Sequence, residues 1–197
     1  MSNTKAILLV GVGGQGTILA SKILSEGLVS AGFDVKMSEI HGMSQRGGNV
    51  STQIRYGEKV YSPIIGKGEA DVIVAFEVME ALRWIEYLTE GGNFIINNYE
   101  IPSVPILMGA AKYPQGILDE LSSKAKTRIL NANAIAEKLG NKQTQNIVLL
   151  GAAIRALSDS GDTALNAIAW KEIITRNVKA AFTEVNIQAF EEGLRAN

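Results

Sequence analysis

The sequence predicts an α/β fold: a three-layer α/β/α arrangement around a mostly parallel sheet, with one antiparallel hairpin and a helical C-terminal part. Three observations predict it. Gly11-Val12-Gly13-Gly14-Gln15-Gly16 joins an apolar run to an amphipathic stretch, in the order strand, turn, helix. Apolar runs and helical periodicities then alternate to about residue 131, as in sheets whose strands are bridged by helices. Beyond that point only helical periodicity remains. With 197 residues, 46% of them hydrophobic, and no repeat or linker, residues 1–197 read as a single domain.

Taken in order, Ala6-Ile7-Leu8-Leu9-Val10 is the centre of a first strand over about 5–10. A helix follows over about 15–31, where Ala20, Ile23, Leu24, Leu28 and Ala31 make an apolar stripe. Gly32 stops it, and Phe33 to Glu39 reads as the second strand. Val50, Thr52, Ile54 and Tyr56 alternate with Ser51, Gln53 and Arg55, the period of a half-exposed strand. Gly57-Glu58 reads as a tight turn into a partner strand at Lys59 to Ser62, so the antiparallel hairpin is expected near residues 49–62.

Ala70 to Phe76 is an apolar strand fit for burial on both faces. Val78, Leu82, Ile85 and Leu88 give the next helix one face, Glu90-Gly91-Gly92 ends it, and Asn93 to Tyr99 returns as a strand. The acidic residues between Glu77 and Glu90 read as that helix's solvated face. Pro102, Pro105 and Pro114 mark an irregular connection with one short strand at Pro105 to Gly109. A helix near 115–126 and a strand at Thr127 to Asn131 complete the α/β part. Ile147, Leu150, Ile154 and Leu157 then define an amphipathic helix. Two more are expected at about 168–178 and 183–195, capping the sheet or meeting another subunit.

Composition excludes several functions. The net charge of −1 gives no electrostatic footprint for nucleic acid or an anionic membrane. The apolar runs are far too short to span a bilayer, and Met1-Ser2-Asn3-Thr4-Lys5 lacks the parts of a signal peptide, so a cytoplasmic location is expected. The absence of cysteine removes disulfides, thiolate nucleophiles and thiolate ligation of iron–sulfur clusters. With His41 the only histidine, a zinc site is not expected either.

Two glycine loops carry what chemistry remains. In the first, glycines allow a tight turn and close backbone approach, and the helix start that follows offers unpaired N–H groups to a phosphate. The same pattern also serves close helix–strand packing with no ligand. The second loop, His41-Gly42-Met43-Ser44-Gln45-Arg46-Gly47-Gly48, follows the second strand. Arg46 brings a planar permanent cation, and Ser44 and Gln45 bring hydrogen-bonding groups, together suited to phosphate or carboxylate. The candidate ligand- or interface-binding residues are therefore Gly11, Gly13, Gly14, Gln15, Gly16, His41, Ser44, Gln45, Arg46 and Gly47, with no catalytic or metal-ligating residue among them. A dinucleotide site would ask for an acid at the end of the second strand, where Glu39 stands. A stand-alone NAD- or flavin-dependent Rossmann-like oxidoreductase, or a nucleotide-binding module, is the alternative reading. No paired carboxylates suggest general acid–base chemistry.

The two motifs at this spacing resemble the gamma domain of 2-oxoacid:ferredoxin oxidoreductases, and the resemblance covers essentially the whole chain. The His-Gly-Met-Ser-Gln-Arg-Gly-Gly form is most similar to the branch acting on indolepyruvate. The resemblance implies a subunit inactive alone, in an enzyme that decarboxylates a 2-oxoacid to an acyl-CoA and reduces ferredoxin. Thiamine diphosphate with magnesium and iron–sulfur clusters would reside in a large partner subunit, with coenzyme A and the 2-oxoacid bound in the complex. No Gly-Asp-Gly motif of the thiamine type occurs in this chain.

Overall fold

The computed structural model describes residues 4–42 and 48–196. Its strands are β1 (Lys5–Val12), β2 (Asp34–His41), β3 (Asn49–Gly57), β4 (Ala70–Ala75), β5 (Leu88–Asn97) and β6 (Lys126–Leu130). They form one sheet in the order β2-β3-β1-β4-β5-β6. β1, β4, β5 and β6 pair in parallel, whereas β3 runs antiparallel to both β1 and β2. Five strands thus share one direction, as a mostly parallel sheet requires.

The helices are α1 (Thr17–Ser30), α2 (Val78–Trp84), α3 (Val104–Leu107), α4 (Ile117–Lys124), α5 (Ala132–Lys138), α6 (Gln145–Asp159), α7 (Trp170–Asn177) and α8 (Thr183–Arg195). One face of the sheet, presenting Ile7, Leu9, Ile54, Val72 and Val74, packs against α1 and α6. The other, presenting Leu8, Val10, Ile73, Phe94 and Ile96, packs against α2 and α4. Alternate residues of β1 enter opposite cores because successive strand side chains point to opposite faces. The C-terminal helices do cap the sheet: α6 is buried along nearly its whole length, with α8 against its outer side.

Several expectations need correction. The hairpin joins β2 to β3, not β3 to a strand at Lys59 to Ser62. With β1 and β2 on its two edges, β3 has no edge left for a third partner, and Lys59 to Ser62 forms no strand. The Val60 N–H instead donates to Asp34 Oδ2 at 2.9 Å. Pro105 to Gly109 is not a strand either. Pro105 sits in the first turn of α3, where its fixed φ suits a helix and its missing N–H costs nothing. Glu90-Gly91-Gly92 lies inside β5 rather than ending a helix. Gly91 adopts φ +74° within an irregularity that shifts the β4–β5 register from Ala70↔Leu88 to Val72↔Asn93. α5 went unpredicted, although Asn131 is a good cap: its side chain accepts the Ala134 N–H at 3.0 Å.

Candidate functional site

After β1 the chain turns through Gly13-Gly14-Gln15-Gly16 into α1. Gly14 (φ +103°) and Gly16 (φ +82°) occupy the left-handed region that residues with a Cβ avoid. A Cβ on Gly16 would also stand 2.6 Å from Asn146 Nδ2 at the start of α6, whose amide donates to the Gly16 carbonyl at 3.1 Å. No described side chain caps α1, so its first-turn N–H groups are open to an anion.

Gln15 turns inward. Its Oε1 accepts the Val12 N–H and its Nε2 donates to the Phe76 carbonyl, both at 2.8 Å, and the residue is buried. A Cβ on Gly11 would stand 2.8 Å from Gln15 Oε1 and 2.9 Å from Phe76 Cβ, so glycine there makes room for the carboxamide.

The second wall is the β2–β3 hairpin. The Gly42 N–H donates to Asn49 O at 3.0 Å, and the Gly13 N–H donates to Gly48 O at 2.8 Å, tying the two glycine loops together. Ser44, Gln45, Arg46 and Gly47 lie outside the described residues. His41 Nε2 stands 3.7 Å from Glu39 Oε2, and the Ser21 hydroxyl lies 3.1 Å from Glu39 Oε1. Gly13, Gly14, Gly16, Thr17, Ile18, His41 and Val50 line one open cleft of about 470 Å³. The structure therefore unites Gly13, Gly14, Gly16 and His41 and places Gly11 and Gln15 behind them. Thr17, Ile18 and Val50 were missed because nothing in their residue types marks them; only the fold brings them to the cleft.

A second cleft of about 510 Å³ opens beyond Gly48 and Asn49, lined by Glu77, Glu80, Arg83 and the Ile101–Leu107 segment. Here the solvated reading of the acidic segment fails at its start, because Glu77 and Glu80 are both buried. Glu77 caps α2 by accepting the Glu80 N–H at 2.8 Å, and it also accepts from the Ile101 N–H and the Tyr113 hydroxyl. Burial pushes the Glu80 carboxyl above the usual carboxylate range, against the opposing pull of Arg83 3.2 Å away. These two acids are a neighbouring pair that spacing alone did not reveal.

The geometry disfavours a dinucleotide. α1 and α2 leave β1 and β4 toward opposite faces, so the switch-point crevice where nucleotides bind lies between those strands. Gln15 fills it. β3 also separates β2 from β1, holding Glu39 about 10 Å, two strand spacings, from the β1 end. Among the described residues no three histidine, cysteine, aspartate or glutamate side chains gather to hold a metal ion, and no helix is long and apolar enough to cross a membrane.

Comparisons with known proteins agree with this picture. The family model described as pyruvate ferredoxin/flavodoxin oxidoreductase matches residues 6–196. The indolepyruvate oxidoreductase subunit IorB of Thermococcus kodakarensis is 40% identical over 96% of this chain and 94% of its own length. The pyruvate/ketoisovalerate oxidoreductases common subunit gamma of Thermococcus litoralis is 27% identical over 87% of this chain and 90% of its own. In fold, the gamma subunit of a keto/oxoacid ferredoxin oxidoreductase from Geobacter sulfurreducens superposes with a TM-score of 0.68 at 24% identity, covering 98% and 97% of the two chains. A mostly parallel sheet, a family match over residues 6–196 and a relative 40% identical along nearly the whole chain make one conclusion: this chain belongs to the pyruvate ferredoxin/flavodoxin oxidoreductase family, as one of its small subunits.

Proposed function

We propose that this chain, acting as a single domain in the cytoplasm, completes a 2-oxoacid:ferredoxin oxidoreductase that converts an aryl pyruvate such as indolepyruvate to an acyl-CoA. The observation that carries this reading is the cleft shared by the two glycine loops, on a chain 40% identical along its length to an indolepyruvate oxidoreductase subunit. The open N–H groups of α1 and His41 suit an anionic group on a reactant. Arg46 adds the permanent cation, and Ser44 and Gln45 hold the same group in place. Either the phosphates of coenzyme A or the 2-oxoacid carboxylate supplies that charge.

Iron–sulfur clusters do not fit this chain, which has no cysteine. Clusters, thiamine diphosphate and its magnesium ion are assigned to the large partner subunit, which passes electrons to ferredoxin. The chain's own contribution is to bind and orient, with no chemical step assigned to any of its residues.

The test is reconstitution with the large subunit, following coenzyme A-dependent dye reduction. The isolated chain is expected to be inactive and the complex active, with a higher kcat/KM for indolepyruvate than for pyruvate or 2-oxoglutarate. Arg46→Ala is expected to lower kcat/KM roughly ten- to hundredfold, the worth of one charged hydrogen bond, with little change in melting temperature. A preference for pyruvate or 2-oxoglutarate would refute the aryl pyruvate assignment. Activity of the isolated chain would refute the subunit role.

A further inference from the structure

Gln15 closes the glycine turn twice over. Its backbone N–H donates to the Val12 carbonyl at 3.2 Å, while its side chain accepts the Val12 N–H at 2.8 Å. The same carboxamide reaches across to β4 through the Phe76 carbonyl. That carbonyl takes a second donor, Asn97 Nδ2, at 3.2 Å. Asn97 in turn accepts the Ala132 N–H at 3.0 Å and donates to Asn133 Oδ1 at 2.8 Å. A run of buried amides therefore crosses the carboxyl ends of β1, β4 and β5 and ends at the start of α5. Gln15 and Asn97 are 6% and 0% exposed, so neither offers its amide to a ligand.

We propose that Gln15 is the positioning residue of the cleft. It acts through Gly13 and Gly14, its neighbours in the turn, which themselves line the cleft. The orientation of those two backbone units is set by where the turn is anchored, and the anchor is the Gln15 carboxamide. Because Gly13 also donates to Gly48 O, the same anchor sets where the hairpin meets the turn. Losing it leaves the cleft's residues present but displaced, which weakens binding of an anionic reactant while sparing chemistry in the partner subunit. The inference rests on reading the cleft as a surface that meets an anionic group, either a coenzyme A phosphate or the 2-oxoacid carboxylate.

Q15E separates anchoring from packing. Its carboxylate still accepts the Val12 N–H, but its second oxygen faces the Phe76 carbonyl with no proton to donate. Burial raises the pKa of the introduced carboxyl, and its protonated form donates to Phe76 again. The experiment measures KM for coenzyme A, KM for indolepyruvate and kcat of the reconstituted complex at pH 8 and pH 6. For Q15E the expected result is about a tenfold rise in one KM at pH 8, with kcat within twofold of the parent. The ratio of that KM to the parent's falls toward one at pH 6. Which KM moves identifies the anion. Q15M, which keeps size and loses both bonds, is expected to raise the same KM at both pH values, and it carries the test alone if Q15E does not assemble.

An assembled variant with both KM values within twofold of the parent at pH 8 would overturn the proposal, as would failure of both variants to assemble. If the parent chain itself does not raise the large subunit's turnover, the subunit reading falls and this inference falls with it.

Discussion

Gly16 shows how one residue serves two constraints at the site. Its φ of +82° turns the chain into α1, and its missing side chain lets Asn146 approach from α6. Gly16→Ala therefore meets both a strained backbone and a 2.6 Å contact with Asn146 Nδ2. We expect it to lower unfolding free energy by about 1–3 kcal/mol, the usual cost of a non-glycine residue held in that region. Urea unfolding of the purified chain measures this, and an unchanged midpoint would show that the turn relaxes freely. At the same scale the sequence marks Gln15 as a candidate binding residue, and the structure shows it buried instead. A glutamine in a glycine turn reads as a ligand contact until the structure shows both its amide atoms occupied.

At the scale of elements, the most demanding contact is between α6 and α8. A Cβ on Gly193 would stand 2.0 Å from the Val148 carbonyl oxygen, and one on Gly151 would stand 2.3 Å from that of Phe190. The helices touch backbone to backbone, and no side-chain rotation relieves either clash. Gly193→Ala is expected to force them apart at a cost of about 1–3 kcal/mol or more. Because both glycines serve one contact, combining G151A with G193A should cost less than the sum of the two single losses. A denaturant series on the four proteins checks this; strict additivity would mean the helices do not separate. Both helices were foreseen, α6 from the spacing of Ile147, Leu150, Ile154 and Leu157 and α8 as a helix at about 183–195. The pairing was not, since a glycine in a periodic segment says nothing about which helix approaches it.

Across the whole molecule, burial of charge at the second cleft links stability to pH. Glu80 has a side chain only 6% exposed, and its carboxyl is held above its ordinary value of 4.5, chiefly by burial. In the window above 4.5 the folded chain keeps this proton while the unfolded chain has released it. Stability from this group is thus present at low pH and falls as pH rises through the folded-state value. Glu80→Gln removes the titration and keeps the shape. The stability of E80Q relative to the parent is expected to grow as pH is raised from 4 to 7, measured by urea unfolding across that range. A difference independent of pH would mean that Arg83 compensates the buried charge fully.

Much of the architecture was set by sequence alone. Alternation of apolar runs with helical periodicity determined an α/β fold, because a strand's period of two and a helix's period of 3.6 leave different marks. The absence of cysteine determined that no thiolate cluster resides here. The first glycine motif marked a strand–turn–helix junction, since such a junction needs residues free to adopt positive φ, as Gly14 and Gly16 do. Only the tertiary structure decided which strand β3 would pair with, because alternation names the faces of a strand and not its neighbours. It decided that Glu77 and Glu80 are buried, since burial of α2 depends on what the Ile101–Leu107 segment and Tyr113 bring over it. And it decided that Gln15 bridges the ends of β1 and β4, because those ends meet only when two strands about sixty residues apart in the chain lie side by side.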